Sequence, residues 1–511
     1  MTLRSPLTAT EEAAFEALQT RLLDQWRQIA THSHDEQSVV VVPSLSLDLD
    51  EPSTVLQAYE ERFLFLMLLL RQPRLRVIYV TSQPVLPEIV DYYLGLLQGV
   101  IATHARARLH MVSVQDGTSR PLSLKLLERP RLVEKIRALI PDPKTCHLIP
   151  YNTTELEKEL ALRLGIPMYA ADPRFAPLGT KNGGRRLFAE EGVPHARGRL
   201  GIRSLDDLGR ALAELRAERP GMRQALVKLD EGVSGMGNAL VDLDDLPAPG
   251  DPAEPAALAE RVRQLRLEDS TQSFEHYVAA LRVQGGVVEE RLQGEEFRSP
   301  SVQLRISPLG DVEVLSTHDQ LLGGPSGMSF LGSVFPADPG YAAAITTEAV
   351  KIAKRLAREG VVGRFALDFV AVRGADGGWQ VYCIELNLRK GGTTAPFLTL
   401  EFLTQGRYHA DEGEFRTRTG RPKFYVSCDH VESDAYRVLA PMDLFDVAMK
   451  EQMHFSSATE SGIVFHMMAA VTERGRFGLT AVADSSAEAR SLYDRAIEAV
   501  DREAQAAAPQ A

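Results

Sequence analysis

The segment FALDFVAVRGADGGWQVYCIELNLR, residues 365–389, restricts the fold more than any other stretch of this chain. Two apolar, β-branched runs flank a turn rich in Gly and Asp, which reads as a long antiparallel hairpin. Glu385, Asn387 and Arg389 recur in it at two-residue spacing, so a strand projects all three from one face. Asp368 stands on the first strand, and pairing opposite either Cys383 or Glu385 brings it to that face. Two carboxylates and an amide oxygen crowded together repel unless a cation joins them. Hard oxygen donors without His or Cys suit Mg²⁺ or Mn²⁺ rather than zinc. Arg389 beside them suits a phosphate. A solvated strand face fits the same pattern, and the motif alone does not choose.

Two further stretches bear on the choice. LVKLDEGVSGMGNALVDL places Lys228 at the end of a strand, with Gly232, Gly235 and Gly237 in the following turn. Glycines let backbone N–H groups approach an anion closely. The turn lacks the Gly-Lys-Ser/Thr ending of a Walker A loop, and a strand follows it instead of a helix. In VVEERLQGEEF, apolar Val287 and Val288 precede Glu289, Glu290, Leu292 and Glu296. An extended backbone of this kind can pair with an adenine edge, and an acid beyond it can accept ribose hydroxyls. Acidic strand ends are also often simply solvated.

With 511 residues the chain exceeds one ordinary core. Residues 1–35 read as a helix and linker. From Ser38, short apolar strands alternate with amphipathic helices, which predicts a parallel sheet covered on both sides over 36–175. No G-x-G-x-x-G follows the first strand, so a dinucleotide role is unsupported. After Asp172–Pro173 glycine turns and charged-edged strands take over. A second unit is expected over 176–410, with a lid at about 195–295. It contains an antiparallel meander from Gly285 to Gln320, a helix over Tyr341–Glu359 and the long hairpin. A small α/β unit over 411–503 and a disordered tail, 504–511, complete the plan. The fold class is α/β overall and α+β in the core.

The net charge of −12 disfavours nucleic acid as a partner. Cys146, Cys383 and Cys428 form no C-x-x-C, which suits a reducing cytoplasm and disfavours a zinc cluster. Adjacent strand residues face opposite ways, so Cys428–Asp429–His430 reads as packing and not as a thiol nucleophile. The start carries no leader pattern. The run FLFLMLLL, Phe63 to Leu70, is far short of the roughly 20 residues a membrane span takes and reads as a buried helix.

Taken in order, these pieces resemble the ATP-grasp superfamily over roughly residues 175–400. The resemblance implies ATP and Mg²⁺ (or Mn²⁺). It makes Lys181 and Lys228 the nucleotide lysines and Gly232–Gly237 the flap over the triphosphate. Glu289, Glu290 and Leu292 would meet adenine, and Glu296 ribose. Asp368, Glu385 and Asn387 would be metal ligands, and Arg389 would steady the transferred phosphate. A narrower likeness lies in STHDQLLGG, GSVFPAD, ELNLRKGGTTAPF and FYVSCDHVESDAYRVL, which look like the pheganomycin-type peptide ligases. That family combines a pre-ATP-grasp domain, the grasp core and its own C-terminal domain. It implies amide-bond formation between small-molecule carboxylate and amine or peptide substrates through an acyl phosphate, often in natural-product assembly. A homodimer is common in the superfamily.

A carboxylating or phosphoribosyl-type enzyme, and a non-catalytic nucleotide binder, are the rival readings. Lys390, Gly392 and Thr393, ahead of a helix at Pro396–Leu403, are candidates for binding a carboxylate or phosphate; a plain Thr cap is the alternative. His318 is a candidate base for the amine, against a hydrogen-bonded loop. Arg305 is a candidate for the triphosphate. Arg185 and Arg186 are expected on a helix surface, and His466 in strand packing.

Overall fold

A computed structural model describes residues 6–30, 36–46, 53–232, 237–268, 272–323 and 329–508. The N-terminal part holds a four-stranded parallel sheet in the order Leu109–Ser113, Leu75–Thr81, Gln37–Val42, Cys146–Pro150. Parallel strands need crossovers that cover both faces, and the alternation of buried residues shows both covers. Val40, Val42, Ile78 and Val80 pack with Phe15, Leu122, Ile136 and Leu160. Val39, Val41, Val77 and Tyr79 enter a different core, shared with Phe397, Leu444, Phe465 and Leu479 of the later segments. One face of this sheet is therefore glued to the C-terminal half of the chain. The run from Phe63 is buried as expected, but as a 3₁₀ helix, Leu64–Arg71.

The second sheet has five antiparallel strands, in the order Gly198–Ile202, Gly286–Glu290, Gln224–Leu229, Asn238–Asp242, Arg266–Leu267. Ala225, Val227 and Leu229 face a core built with Leu208, Leu212, Tyr277 and Leu281. Gln224, Leu226 and Lys228, at alternate positions, face the other way.

The third sheet has nine strands. Its order is Glu296–Arg298, Gly363–Arg373, Pro300–Ile306, Val312–Gly323, Ser329–Phe335, Phe424–Glu432, Arg476–Ala483, Gly462–His466, with Trp379–Asn387 on the free side of Gly363–Arg373. Val302, Leu304, Phe365, Leu367 and Phe369 pack on Ile345, Ile352 and Leu356 of helix Pro339–Glu359.

Three expectations change. Helix Ser486–Ala507 orders residues 504–507 of the tail expected to be disordered. The meander from Gly285 is divided: Gly286–Glu290 belongs to the five-stranded sheet and Glu296–Arg298 to the nine-stranded one, so residues 291–295 bridge two sheets. Strands Phe424–Glu432, Arg476–Ala483 and Gly462–His466 continue the nine-stranded sheet through the pairing of Phe335 with Tyr425, while Glu414–Arg416 pairs apart from it with Arg407–His409. Among the described residues no helix is long and apolar enough to cross a membrane.

The N-terminal part also meets the C-terminal half through buried charge. Helix Ser53–Glu61 ends in Glu60 and Glu61, both buried, and Glu61 Oε2 accepts the Ala469 N–H at 3.0 Å. Burial pushes the Glu61 carboxyl up to about 8, and neighbouring Glu60 adds to the rise. A carboxyl protonated more readily folded than unfolded stabilises below its unfolded value of about 4.5, and this contribution fades as pH rises to about 8. Glu61→Gln keeps the acceptor and removes the ionisation. Its melting temperature relative to wild type should climb between pH 5 and pH 8.5 in thermal scans; parallel profiles would contradict the burial assignment.

Candidate active site

Strand Gly363–Arg373 pairs with Trp379–Asn387 so that Asp368 lies directly opposite Glu385 and Ala366 opposite Asn387. The register shifts immediately beyond, where Phe369 meets Cys383 and Ile384 is left over as a bulge. The bulge explains why Cys383 joins the core with Phe369 although it stands two residues from Glu385. Asp368 and Glu385 thus share the face away from helix Pro339–Glu359, and both line a cleft of about 1190 Å³ between the five- and nine-stranded sheets.

The carboxylates are held by donors from other elements. Asp368 accepts from Gln320 Nε2 and from Asn387 Nδ2, each at 2.9 Å. Lys181, first residue of helix Lys181–Glu190, sets its Nζ 2.7 Å from Glu385 Oε1. Burial, and then the Glu385 charge, push the Asp368 carboxyl up to about 7 against the pull of Arg389 and Lys181. Burial also pushes Glu385 up, but Lys181 and Arg389 bring it below its usual range. Among the described residues no three His, Cys, Asp or Glu are grouped to hold a metal. The set is two carboxylates and an amide, whose facing charges suit a hard divalent cation.

On the opposite wall Glu289 pairs with Lys228 through Oε1 and with Arg185 through Oε2. Burial disfavours its charge, yet Lys228 and Arg185 hold its carboxyl below the usual range. Arg185 is therefore buried, where a surface position was expected; Arg186 is exposed. Glu290 accepts the Arg197 N–H at 3.1 Å, and Leu292 follows it along the cleft. Gly232 lines the cleft, while Gly237 turns at φ +86° under Leu229. Gly235 lies outside the described residues.

Of the residues after the hairpin, Arg389, Gly392 and Thr393 line the cleft. Thr393 Oγ1 is bonded by Gln303 Nε2 and caps nothing in helix Thr394–Thr404. A Cβ on Gly392 would lie 2.3 Å from the Phe330 ring, so the close approach there requires glycine.

Four expected residues stay out of the cleft. Arg305 lies on the correct strand but stacks over Trp26 of the N-terminal helix, 5.2 Å from the ring centroid, and pairs with Glu313. His318 is fully buried among Phe335, Phe397 and Tyr425, and bonds the Tyr425 hydroxyl at 2.7 Å. Burial lowers its pKa to about 3, which removes it as a base. Lys390 turns inward and donates to the Pro150 carbonyl at 2.6 Å. Glu296 pairs with Arg298 and Arg373, while its neighbour Phe297 takes the cleft side.

The cleft also collects Tyr59, Arg62, Asp429, His430 and Arg476, and for Tyr59, Arg62 and Arg476 the sequence suggests no role. Asp429 and His430 had been read as packing. The one usable signal was a charged pair inside the apolar strand FYVSCDHVE.

Comparison with known proteins agrees with this geometry. The family described as IQCH-like ATP-grasp matches residues 175–250 and 252–411, and the PGM1 C-terminal domain matches residues 443–496. L-propargylglycine--L-glutamate ligase of Streptantibioticus cattleyicolor is 31% identical over 438 residues, covering 84% of this chain and 86% of that protein. The chain belongs to the ATP-grasp superfamily. Within that superfamily it groups with the pheganomycin-type ligases, which form C–N bonds. IQ motif-containing protein H of Danio rerio is 26% identical over 389 residues, 66% of this chain but 36% of that longer protein. Among solved structures, a biotin carboxylase–ATP analogue complex from Campylobacter jejuni superposes with a TM-score of 0.53 at 12% identity, covering 93% of this chain and 96% of the other. The ADP complex of N5-carboxyaminoimidazole ribonucleotide synthetase gives 0.51, also at 12% identity, covering 91% and 97%. These two likenesses bear on the fold alone.

Glu385→Ala and Asn387→Ala should each lower ATP-dependent turnover by roughly 10²–10³ at saturating Mg²⁺, the usual loss for a positioned electrostatic group. Circular dichroism and melting temperature should stay near wild type. Turnover close to wild type in either variant would count against these residues holding a divalent cation.

Proposed function

We propose that this ATP-grasp ligase condenses the carboxylate of one amino acid or peptide with the amine of another, releasing ADP and phosphate. The observation that carries the reading is the Asp368–Glu385 pair, set across a cleft from Lys228 and beside Lys181 and Arg389. The ligase relative, whose name joins two amino acids, supports the substrate class.

A substrate carboxylate oxygen attacks the γ-phosphorus of ATP, and the bond from that phosphorus to the β–γ bridging oxygen breaks. The amine nitrogen then attacks the acyl carbon. Phosphate leaves with the former acyl C–O bonding pair, and the nitrogen loses a proton to solvent. Asp368, Glu385 and Asn387 would hold Mg²⁺, which neutralises the polyphosphate when bound. Lys181 and Lys228 would leave their carboxylate partners for α- and β-phosphate oxygens. Arg389 would bind the transferring phosphoryl group and then the tetrahedral oxyanion. Glu289, Glu290 and Leu292, at the strand end and the start of the bridge between the two sheets, would carry adenine. The Gly232–Gly237 turn would keep water from the acyl phosphate.

Incubation with ATP, Mg²⁺ and mixed amino acids should yield ADP, phosphate and a product whose mass is the sum of two substrates less water. Hydroxylamine should intercept the acyl phosphate as a hydroxamate. AMP with pyrophosphate would refute the acyl-phosphate route, and ATP binding without substrate-stimulated ADP release would favour a nucleotide sensor.

A further inference from the structure

Three segments remote in sequence bring buried charge into the cleft beyond Arg389. Tyr59 and Arg62 come from the end of helix Ser53–Glu61 and the residue after it. Asp429 comes from strand Phe424–Glu432, and Arg476 begins strand Arg476–Ala483. Arg62, Asp429 and Arg476 are 4%, 2% and 7% exposed. Both guanidinium groups stack on the Tyr59 ring, 5.8 and 5.7 Å from its centroid.

The charges do not balance. Asp429 pairs with Arg62 and lies 2.9 Å from His466 Nε2. Arg476 reaches only neutral oxygens: its Nε donates to the Asp429 carbonyl and its Nη2 to the Tyr59 hydroxyl, both at 3.2 Å. Among the described residues no carboxylate lies within ion-pair distance of it. Among the described residues Arg62 Nε, also buried, has no hydrogen-bond partner, and neither has His430 Nδ1. A buried, cleft-lining guanidinium without a counter-charge is costly unless a ligand supplies one.

We infer that Arg476, with Arg62 and Tyr59, forms a receptor for a second substrate carboxylate, distinct from the one activated, and that this carboxylate belongs to the incoming amine. The inference deepens the ligase reading and rests on it: the nucleophile is an α-amino acid or peptide with a free C-terminus, held by its carboxylate. Arg62 also donates to the Gly392 carbonyl at 2.7 Å, which ties the receptor to the loop that follows Arg389. Arg476 touches no reacting atom; it binds and orients.

The test compares the twenty free L-amino acids with their carboxamides as amine substrates, in the presence of MgATP, reading products by mass and KM by ADP release. The wild-type enzyme should favour free acids. Arg476→Gln should raise KM for the free acid by roughly 10²-fold, the usual loss for truncating one partner of a buried charge pair. The rise should be confined to the free acids, so the preference over carboxamides collapses; Arg476→Lys should restore part of it even if the Gln variant folds poorly. An Arg476→Gln loss that follows a second carboxylate on the acid substrate, and not the carboxylate of the amine, would overturn the inference. Equal losses on free acids and carboxamides, or a wild-type enzyme indifferent between them, would overturn the inference. Calorimetric binding of the same probes with a non-hydrolysable ATP analogue separates the two readings. Carboxylate-selective binding without turnover would sink the ligase but not the receptor; no selectivity would sink the receptor.

Discussion

Directly opposed Asp368 and Glu385 are the constraint on which the site depends. Two carboxylates about 5 Å apart repel by roughly 3 kcal/mol at an effective dielectric near 20. Neither residue is positioned by its own strand's stability; the pleat imposes the pairing, and the surroundings have to offset it. Gln320 and Asn387 donate to one acid and Lys181 to the other. Two elements outside the hairpin, those of Gln320 and Lys181, are thus recruited to one pair, and Asn387 completes the set from Glu385's own strand.

The opposite wall repeats the scheme with the signs reversed. Glu289, shared by Lys228 and Arg185, keeps two cations parked against a buried acid. Because Glu289 stands next to the end of strand Gly286–Glu290 and residues 291–295 lead into the other sheet, the acid that pairs with Lys228 also lies beside the join between the two sheets.

Period-two reasoning made the hairpin, the lid strand and their faces legible from sequence, because both obey local strand geometry. It resolved Asp368 opposite Glu385 only as one of two options, since the bulge at Ile384 leaves no clear signature. Arg305 and His318 fail for a different reason. Their strand pairs with that of Asp368 or with its neighbour, on the side expected, but Trp26 and Phe397, distant in sequence, cover those positions. Arg62 and Arg476 carry no signal in the sequence, and Asp429 reads as packing, because their meaning exists only where three segments converge. A strand pattern cannot tell a buried charge awaiting a ligand from one that is merely packed.

The continuation of the C-terminal strands into the nine-stranded sheet gives the molecule a fixed gauge. Asp368 and Asp429 stand on strands four places apart in one hydrogen-bonded sheet. Strand spacing, about 4.8 Å per step, cannot stretch without breaking ladders. The wall that carries Lys228 and Glu289 belongs to another sheet, but the span between Asp368 and Asp429 is set by strand count. A ligand that met both Asp368 and Asp429 would have to match a span counted in strands, whatever side chains line the way.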